Sequence, residues 1–429
     1  MVKNKHMKNI KRWALAAGAA VALGASSCSK WTEPTQYKPT DLSGNTMTED
    51  YYANLRAWKA TGAPTGFGWF AGWTGEGASM KTQLMGLPDS LGLVSLWGDW
   101  KNMNDLKRAD LKAVQTLKGT KVIAGFIIDN VGVQMTPAGQ DAAKYWGWED
   151  GTSPEALAKQ KAAIQKYANA ICDLIDSLGL DGFDFDFEPS YGHSGNISFN
   201  YNANYSTAGK KIKADNMKAF IETLGKRLGP QSGTGRILTV NGEPQSMVPE
   251  LGKYFDYFIV QAYDSSGDAD LDRRFQSTVR NYAGHLPAAE VARKYLVTEN
   301  YEKYASTGGA PNYRDRYGNT MASVEGMARW MPIVDGKVLQ KAGVGTYHME
   351  YEYTVSGQPG TYPALRRAII NSSISGLCLT KPDVLDALAE IKVCTAYDMD
   401  GSRLDIAPVG ADELARCTPV YDTLPGWQS

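Results

Sequence analysis

Side chains that hold metals or carry redox chemistry are scarce in this chain, with four His and five Cys among 429 residues. Only His193, His285 and His348 lie beyond the N-terminal segment to supply the His pair that a metal-dependent phosphodiesterase barrel wants, and activity that survives a chelator would remove that reading. Neither sign of charge dominates. With 45 basic and 46 acidic residues, a net charge of -1 and no Lys/Arg block after the first residues, there is no electrostatic reason to expect a nucleic-acid partner. The chain has no internal repeat and no low-complexity segment. Its one long apolar run, Trp13 to Ala25, is too short to cross a bilayer as a mature helix. What remains is an ordinary globular composition, 43% hydrophobic, sufficient for one large or two medium domains.

The apolar run belongs to a targeting segment. Lys3, Lys5, Lys8, Lys11 and Arg12 form a basic head before it, and Ser26-Ser27-Cys28 follows. A small-residue run ending in Cys resembles a bacterial lipobox, with Ala25 where Leu is commonest; an ordinary secretory signal cleaved nearby is the alternative. The resemblance implies residues 1-28 as a lipoprotein signal and lipidation at Cys28. It also implies an exported protein held to the bacterial outer membrane by that anchor alone; display at the cell surface is expected only from a large extracellular substrate. Residues 29-58, with Pro34 and Pro39, read as a polar tether. Cys172 and Cys378 sit in apolar contexts as buried thiols, and Cys394 and Cys417 form a candidate disulfide in the tail 393-429, expected to pack on the barrel.

From residue 59 to 392, short β-like runs alternate with longer helical periods, the pattern of a parallel α/β fold. Eight runs qualify: Gly66 to Trp73, Leu93 to Trp97, Lys121 to Ile128, Gly182 to Phe187, Ile237 to Asn241, Tyr257 to Tyr263, Lys294 to Thr298 and Gly343 to Tyr347. Eight strand-then-helix units predict a closed (β/α)8 TIM barrel, a single catalytic domain with chemistry at the C-terminal strand ends. The clearest helix precedes the fourth strand. Pro154 opens it, Leu157, Ile164, Tyr167, Ile171, Leu174, Ile175 and Leu178 recur on one face, and Gly179 ends it.

The fourth strand carries the strongest signal. In Asp181-Gly182-Phe183-Asp184-Phe185-Asp186-Phe187-Glu188, strict alternation puts three Phe on one face and Asp184, Asp186 and Glu188 on the other. Same-face neighbours lie roughly 6 to 7 Å apart, so the acids must couple, and at least one should retain a proton near neutral pH. A solvated strand face would mix Thr, Lys, Ser and Glu, and a divalent-cation site is the other alternative to catalysis.

Asp181-Gly182-x-Asp184-x-Asp186-x-Glu188 resembles the fourth-strand signature of glycoside hydrolase family 18, the chitinases and endo-β-N-acetylglucosaminidases, over about residues 60 to 390. Gln261-Ala262-Tyr263 resembles the sixth-strand motif of that family. The resemblance implies Glu188 as general acid, its pKa raised by the acids below, and Asp186 as acceptor for the sugar's acetamido N-H. It further implies Asp184 sharing a proton with Asp186, and Tyr263, with Gln261 beside it, donating to the acetamido carbonyl. The nucleophile is then the substrate's own acetamido oxygen, the substrate-assisted exception among glycosidases. Asp181 reads as a turn or capping residue.

Other mouth residues follow from position alone: Trp73 and Trp97 at the first and second strand ends, Asn241 and Glu243 at the fifth, Tyr347 and Glu350 at the eighth. Three loops at the mouth, 129-152, 190-210 and 301-319, are rich in Tyr, Trp and Asn, which suit a sugar's hydroxyls and flat C-H faces. Two features depart from the chitinase pattern. The third strand reads Ile123-Ala124-Gly125-Phe126-Ile127, and the eighth ends Gly345-Thr346-Tyr347-His348-Met349-Glu350 without the usual Trp. The stretch between strands seven and eight leaves no room for the insertion domain that deepens many chitinase clefts. An open groove is expected, and with it N-linked glycans of glycoproteins as substrate, cut between the two core GlcNAc residues. A chitinase and a non-catalytic glycan-binding barrel are the alternatives. No cofactor or metal is expected, and the protein is expected to be a monomer.

Overall fold

The computed structural model describes residues 47-380, together with the two-residue strands Ala396–Tyr397 and Arg403–Leu404. Its centre is a barrel of eight strands: β1 (Thr65–Phe70), β2 (Leu91–Leu96), β3 (Lys121–Ile127), β4 (Gly182–Phe187), β5 (Ile237–Gly242), β6 (Tyr257–Gln261), β7 (Tyr295–Asn300) and β8 (Gly343–Tyr347). Every neighbouring pair is parallel, and β1 closes the ring on β8 with Thr65 opposite Gly343. All eight expected strands are present, and the fold is a (β/α)8 TIM barrel.

The principal helices are α1 (Glu49–Lys59), α2 (Asp105–Ala113), α3 (Pro154–Leu178), α4 (Thr207–Leu224), α5 (Asp268–Tyr282), α6 (Ser323–Arg329) and α7 (Pro363–Thr380). In α3, the Ser153 side chain accepts from Ala156 N-H, Pro154 occupies the first turn, and Gly179 ends the helix in the left-handed region at φ 72°. Its buried face runs through Ala163, Ile164, Tyr167, Ala168, Ile171, Cys172, Ile175 and Leu178, with Leu157 and Leu174 only flanking it. Cys172 is a free buried thiol, and burial pushes its pKa up to about 12. Cys28, the expected signal, Cys394, Cys417 and most of the tail lie outside the described residues, as does the side chain of Cys378.

The expected tether is corrected at its end. Residues 49-59 form α1, capped by Thr48 and docked at the N-terminal ends of the barrel strands. Lys59 Nζ donates to Leu91 O (2.7 Å), Lys118 O (2.9 Å) and Thr120 Oγ1 (3.0 Å), and Tyr51 OH donates to Asp89 at 2.7 Å. A polar composition concealed this helix, in which these long-range polar contacts add to the burial of Tyr52 and the packing of Trp58 on the core.

The other end of the barrel wall is held by Glu352, whose buried carboxylate accepts from the Ala364 and Leu365 N-H groups at the start of α7. Burial raises its pKa from 4.5 to about 7, against those two hydrogen bonds. A folded-state pKa above the unfolded value means that the stability is fully present below the unfolded pKa and is lost as pH rises through about 7. Chemical denaturation should therefore show the stability of the parent protein falling between pH 5 and 8 by about 2 to 3 kcal/mol more than that of Glu352→Gln. Equal slopes for the two proteins would contradict this.

Candidate active site

Alternation along β4 sorts its side chains between two environments. Phe183, Phe185 and Phe187 are wholly buried and point outward against the helices, with Phe185 edge-on to Phe220 of α4 (5.6 Å) and Phe183 to Phe126 (5.3 Å). Burying each ring is worth about 2 to 3 kcal/mol, so the strand cannot slip by one residue without losing all three and moving every acid to the wrong side. The acids are thereby directed into the barrel.

Asp184 lies at the bottom of the row, fully buried, and is gripped from three strands. Trp69 Nε1 of β1 and Ser95 Oγ of β2 each donate to Oδ2 at 2.9 Å, and Thr239 Oγ1 of β5 donates to Oδ1 at 2.5 Å. Burial raises the Asp184 pKa, and these bonds oppose the rise. Gly125 of β3 leaves room for it: a Cβ there would lie 2.5 Å from Asp184 O and 2.9 Å from Asp184 Cβ. That is why the third strand carries glycine at this position.

Asp186 is buried one step higher, and its Oδ1 has no hydrogen-bond partner. Burial first, then the charges of Glu188 and Asp184, hold its pKa well above the carboxylate range. Within the row, Asp186 is pushed strongly toward its protonated form. Its neighbour across the ladder, Asn241, is also buried, and its side chain helps to offset the burial of Asp184. An unsatisfied carboxyl oxygen in a buried site is costly unless a ligand engages it.

Glu188 follows the last strand residue and stands at the rim, half-buried, where Pro189 starts a short 3-10 turn. Gln261 Nε2 donates to Glu188 Oε1 (2.5 Å) and to Asn241 Oδ1 (3.1 Å), so one amide orients both. Gly242, at φ 91°, is the residue that permits this approach, since a Cβ on it would lie 2.9 Å from Glu188 Cγ. Glu243 is buried and accepts from Ser190 N-H at 2.7 Å, clamping the turn that carries Glu188.

Aromatic rings wall the opposite side. Tyr263 stacks on Tyr347 with centroids 6.0 Å apart, and Trp69 and Trp97 meet Tyr347 edge-on at 5.9 and 6.3 Å. Burial and then the Asp186 charge keep the Tyr263 pKa well above 10, so its hydroxyl remains a donor.

The structure thus brings Asp184, Asp186, Glu188, Asn241, Gln261, Tyr263, Tyr347 and Trp97 to one place. Three positional expectations are corrected. Trp73 lies beyond β1, which ends at Phe70; after Gly72 turns at φ 70°, its indole faces outward and donates to Asp110 Oδ2 at 2.8 Å. Glu350 is buried and spent on Ala71 N-H (3.2 Å) and His348 Nδ1 (2.5 Å), tying the β1 and β8 ends together. Glu243 acts on the Glu188 turn rather than facing a ligand. Many loop aromatics also pack inward: Trp146 against Tyr167 at 5.2 Å, and Tyr313 with its hydroxyl donating to Asp268 at 2.6 Å. Asp181 accepts from Val122 N-H (2.9 Å) and Gln115 Nε2 (2.8 Å) as a turn residue. Trp69, Ser95, Thr239 and Gly242 were missed. Only Trp69 had a visible signal, its inward alternation with Phe67. Among the described residues no group of three or more His, Cys, Asp or Glu is placed to hold a metal ion.

A row of acids inside a closed barrel, the last at the rim, is matched by the family comparison. The glycoside hydrolase family 18, BT1044-like family model covers residues 32-371. The chain belongs to glycoside hydrolase family 18. A solved structure of BT1044 with a Glu-to-Gln replacement is 34% identical, with TM-score 0.64, over 76% of this family 18 chain and 92% of that one. An endo-β-N-acetylglucosaminidase from Cordyceps militaris, solved as a double mutant in complex with fucosyl-N-acetylglucosamine-Asn, shares the fold at 18% identity and TM-score 0.50, covering 76% and 97%.

The C-terminal end of this family 18 chain resembles something else. An adenylosuccinate synthetase family model matches residues 361-429, overlapping the family 18 match within α7. The curated adenylosuccinate synthetase of Dichelobacter nodosus is 58% identical over 67 residues, 16% of each protein, and that of Verminephrobacter eiseniae 34% identical over 125 residues, 24% of this chain and 27% of that one. The chain spans about a quarter or less of the length of these relatives.

Proposed function

We propose that the barrel is a retaining, substrate-assisted endo-β-N-acetylglucosaminidase that hydrolyses the GlcNAc-β1,4-GlcNAc linkage in the core of N-glycans. The observation that carries this reading is the buried, unpartnered Asp186 Oδ1, beside a phenol kept as a donor and below a rim glutamate oriented by Gln261. An acetamido group fits that set: its N-H meets Asp186 and its carbonyl oxygen meets Tyr263. So held, the acetamido oxygen attacks the anomeric carbon as Glu188 gives its proton to the leaving glycosidic oxygen. An oxazolinium ion results. Asp186, sharing its proton with the firmly held Asp184, stabilises the positive charge on nitrogen. Water then adds to the anomeric carbon, returning a proton to Glu188 and the acetamide to its starting form, with net retention.

The choice of N-glycan over linear chitin rests on the open mouth. Between β7 and β8 the described chain holds only short hairpins, the four-residue helix Tyr301–Tyr304 and α6, so no inserted domain walls the groove. The same reading places the barrel on a lipid anchor at Cys28. Mass spectrometry of a mixed glycoprotein panel should show free glycans ending in one GlcNAc, with the other left on Asn, and little cleavage of chitotetraose. Efficient chitotetraose cleavage with untouched glycoproteins would make it a chitinase instead.

A further inference from the structure

After β8 the chain turns at His348, which sits in the left-handed region at φ 50° and presents its ring between two tyrosines. Tyr347 lies 4.2 Å away edge-on, and Tyr351 stacks coplanar at 5.0 Å and 6°. Carboxylates hold the imidazole from both sides, Glu350 Oε1 2.5 Å from Nδ1 and Glu302 Oε1 3.6 Å from Nε2. Burial opposes charge on His348, but these carboxylates outweigh it and raise its pKa. A continuous run of rings therefore extends from Tyr263 through Tyr347 and His348 to Tyr351. The last ring is 49% exposed yet pinned from behind.

Tyr351 forms one wall of a cleft of about 310 Å³, with Thr354 and Ser356 on its side and Tyr301, Glu302 and Ser306 on the other. That volume is at the lower end of the roughly 300 to 1,000 Å³ typical of small-ligand sites. The cleft stands over the C-terminal ends of β7 and β8, and in the barrel order β8 lies diametrically across from β4, which carries Glu188. A glycan whose scissile bond lies at Glu188 and whose non-reducing half crosses the mouth would reach this cleft.

We propose that this cleft is a subsite for a neutral hexose in the non-reducing branches of the glycan, stacked on Tyr351 and hydrogen-bonded by the hydroxyls around it. It rests on the N-glycan reading above. Tyr351 supplies the flat apolar face that a pyranose ring needs, and Ser306, Thr354 and Ser356 supply hydroxyls. An acidic sugar is disfavoured by charge: Glu302 and Glu350 share the one imidazole of His348, and Lys303 is joined to Asp264 at 3.3 Å, so these groups leave a net negative charge.

The test uses Glu188→Gln as a binding trap, titrated calorimetrically with a galactose-terminated biantennary N-glycan and with its trimmed trimannosyl-chitobiose core. Adding Tyr351→Ala should weaken the long glycan about 5- to 10-fold and leave the core unchanged, while Tyr351→Phe keeps both affinities. Ser306→Trp, which fills the cleft from the other wall, should reproduce the selective loss without touching the ring stack. Equal weakening of both glycans, or of neither, would overturn the subsite while leaving the N-glycan reading in place. Tighter binding of a sialylated than of the neutral glycan would overturn the neutral-hexose assignment. If Glu188→Gln binds neither glycan, the N-glycan reading fails and the subsite with it.

Discussion

Glu188→Gln should fold normally, bind glycan and turn it over about 100- to 10,000-fold more slowly, because the proposed mechanism makes Glu188 the general acid and a positioned general acid contributes roughly that much. The substitution is close to isosteric. Gln261 Nε2 now donates to Glu188 Oε1 at 2.5 Å, and the new amide oxygen can occupy that position. Because Glu188 is half-buried at the mouth and not part of the core, thermal stability should change by less than about 1 kcal/mol. Stopped glycan-release assays beside calorimetric binding separate the two effects. Full turnover in this variant would remove Glu188 from the mechanism, and loss of binding together with turnover would make it a binding residue instead.

The second large effect is expected one step deeper. Asp184→Ala strips acceptors from Trp69 Nε1, Ser95 Oγ and Thr239 Oγ1 at once, at a fully buried position. Leaving such donors buried and unpaired costs about 1 to 3 kcal/mol each at most, and losses within one network are not additive, so about 3 to 5 kcal/mol is expected in all. That should lower the melting temperature by roughly 10 °C or more. Activity measured well below the transition should also fall, by about 100-fold, because the proposed mechanism has Asp186 share its proton with Asp184. Asp184→Asn keeps the volume and one acceptor and should lie between. A wild-type melting temperature for Asp184→Ala would show that the three donors find other partners and that Asp184 does not organise the barrel interior.

Much of this site was legible before any coordinates. The alternation of Phe and acid in residues 183-188 is local, and a strand has only two faces, so the direction of all six side chains followed once one face was known to be buried. Strand periods elsewhere were equally local, which is why all eight strands could be located. What failed were statements depending on where a strand stops. Trp73 was assigned to the mouth because its apolar run looks continuous, but β1 ends at Phe70 and the turn at Gly72 rotates the indole toward α2. Glu350 and Glu243 lie at strand ends as expected, yet both are spent on backbone N-H groups of neighbouring turns. Strand position alone does not say whether a carboxylate is free.

The sequence by itself determined the barrel and the order of the three acids, because short-range periodicity dictates which side chains share a face and the chain's alternation leaves one closed solution. Only the tertiary structure decided how those acids differ. Asp184 is held by donors 115, 89 and 55 residues away, Asp186 is left with an open oxygen, and Glu188 is aimed by an amide 73 residues on. Those distinctions come from closure of the ring, which brings distant strands within hydrogen-bond reach and removes water, and neither can be read from neighbours along the chain.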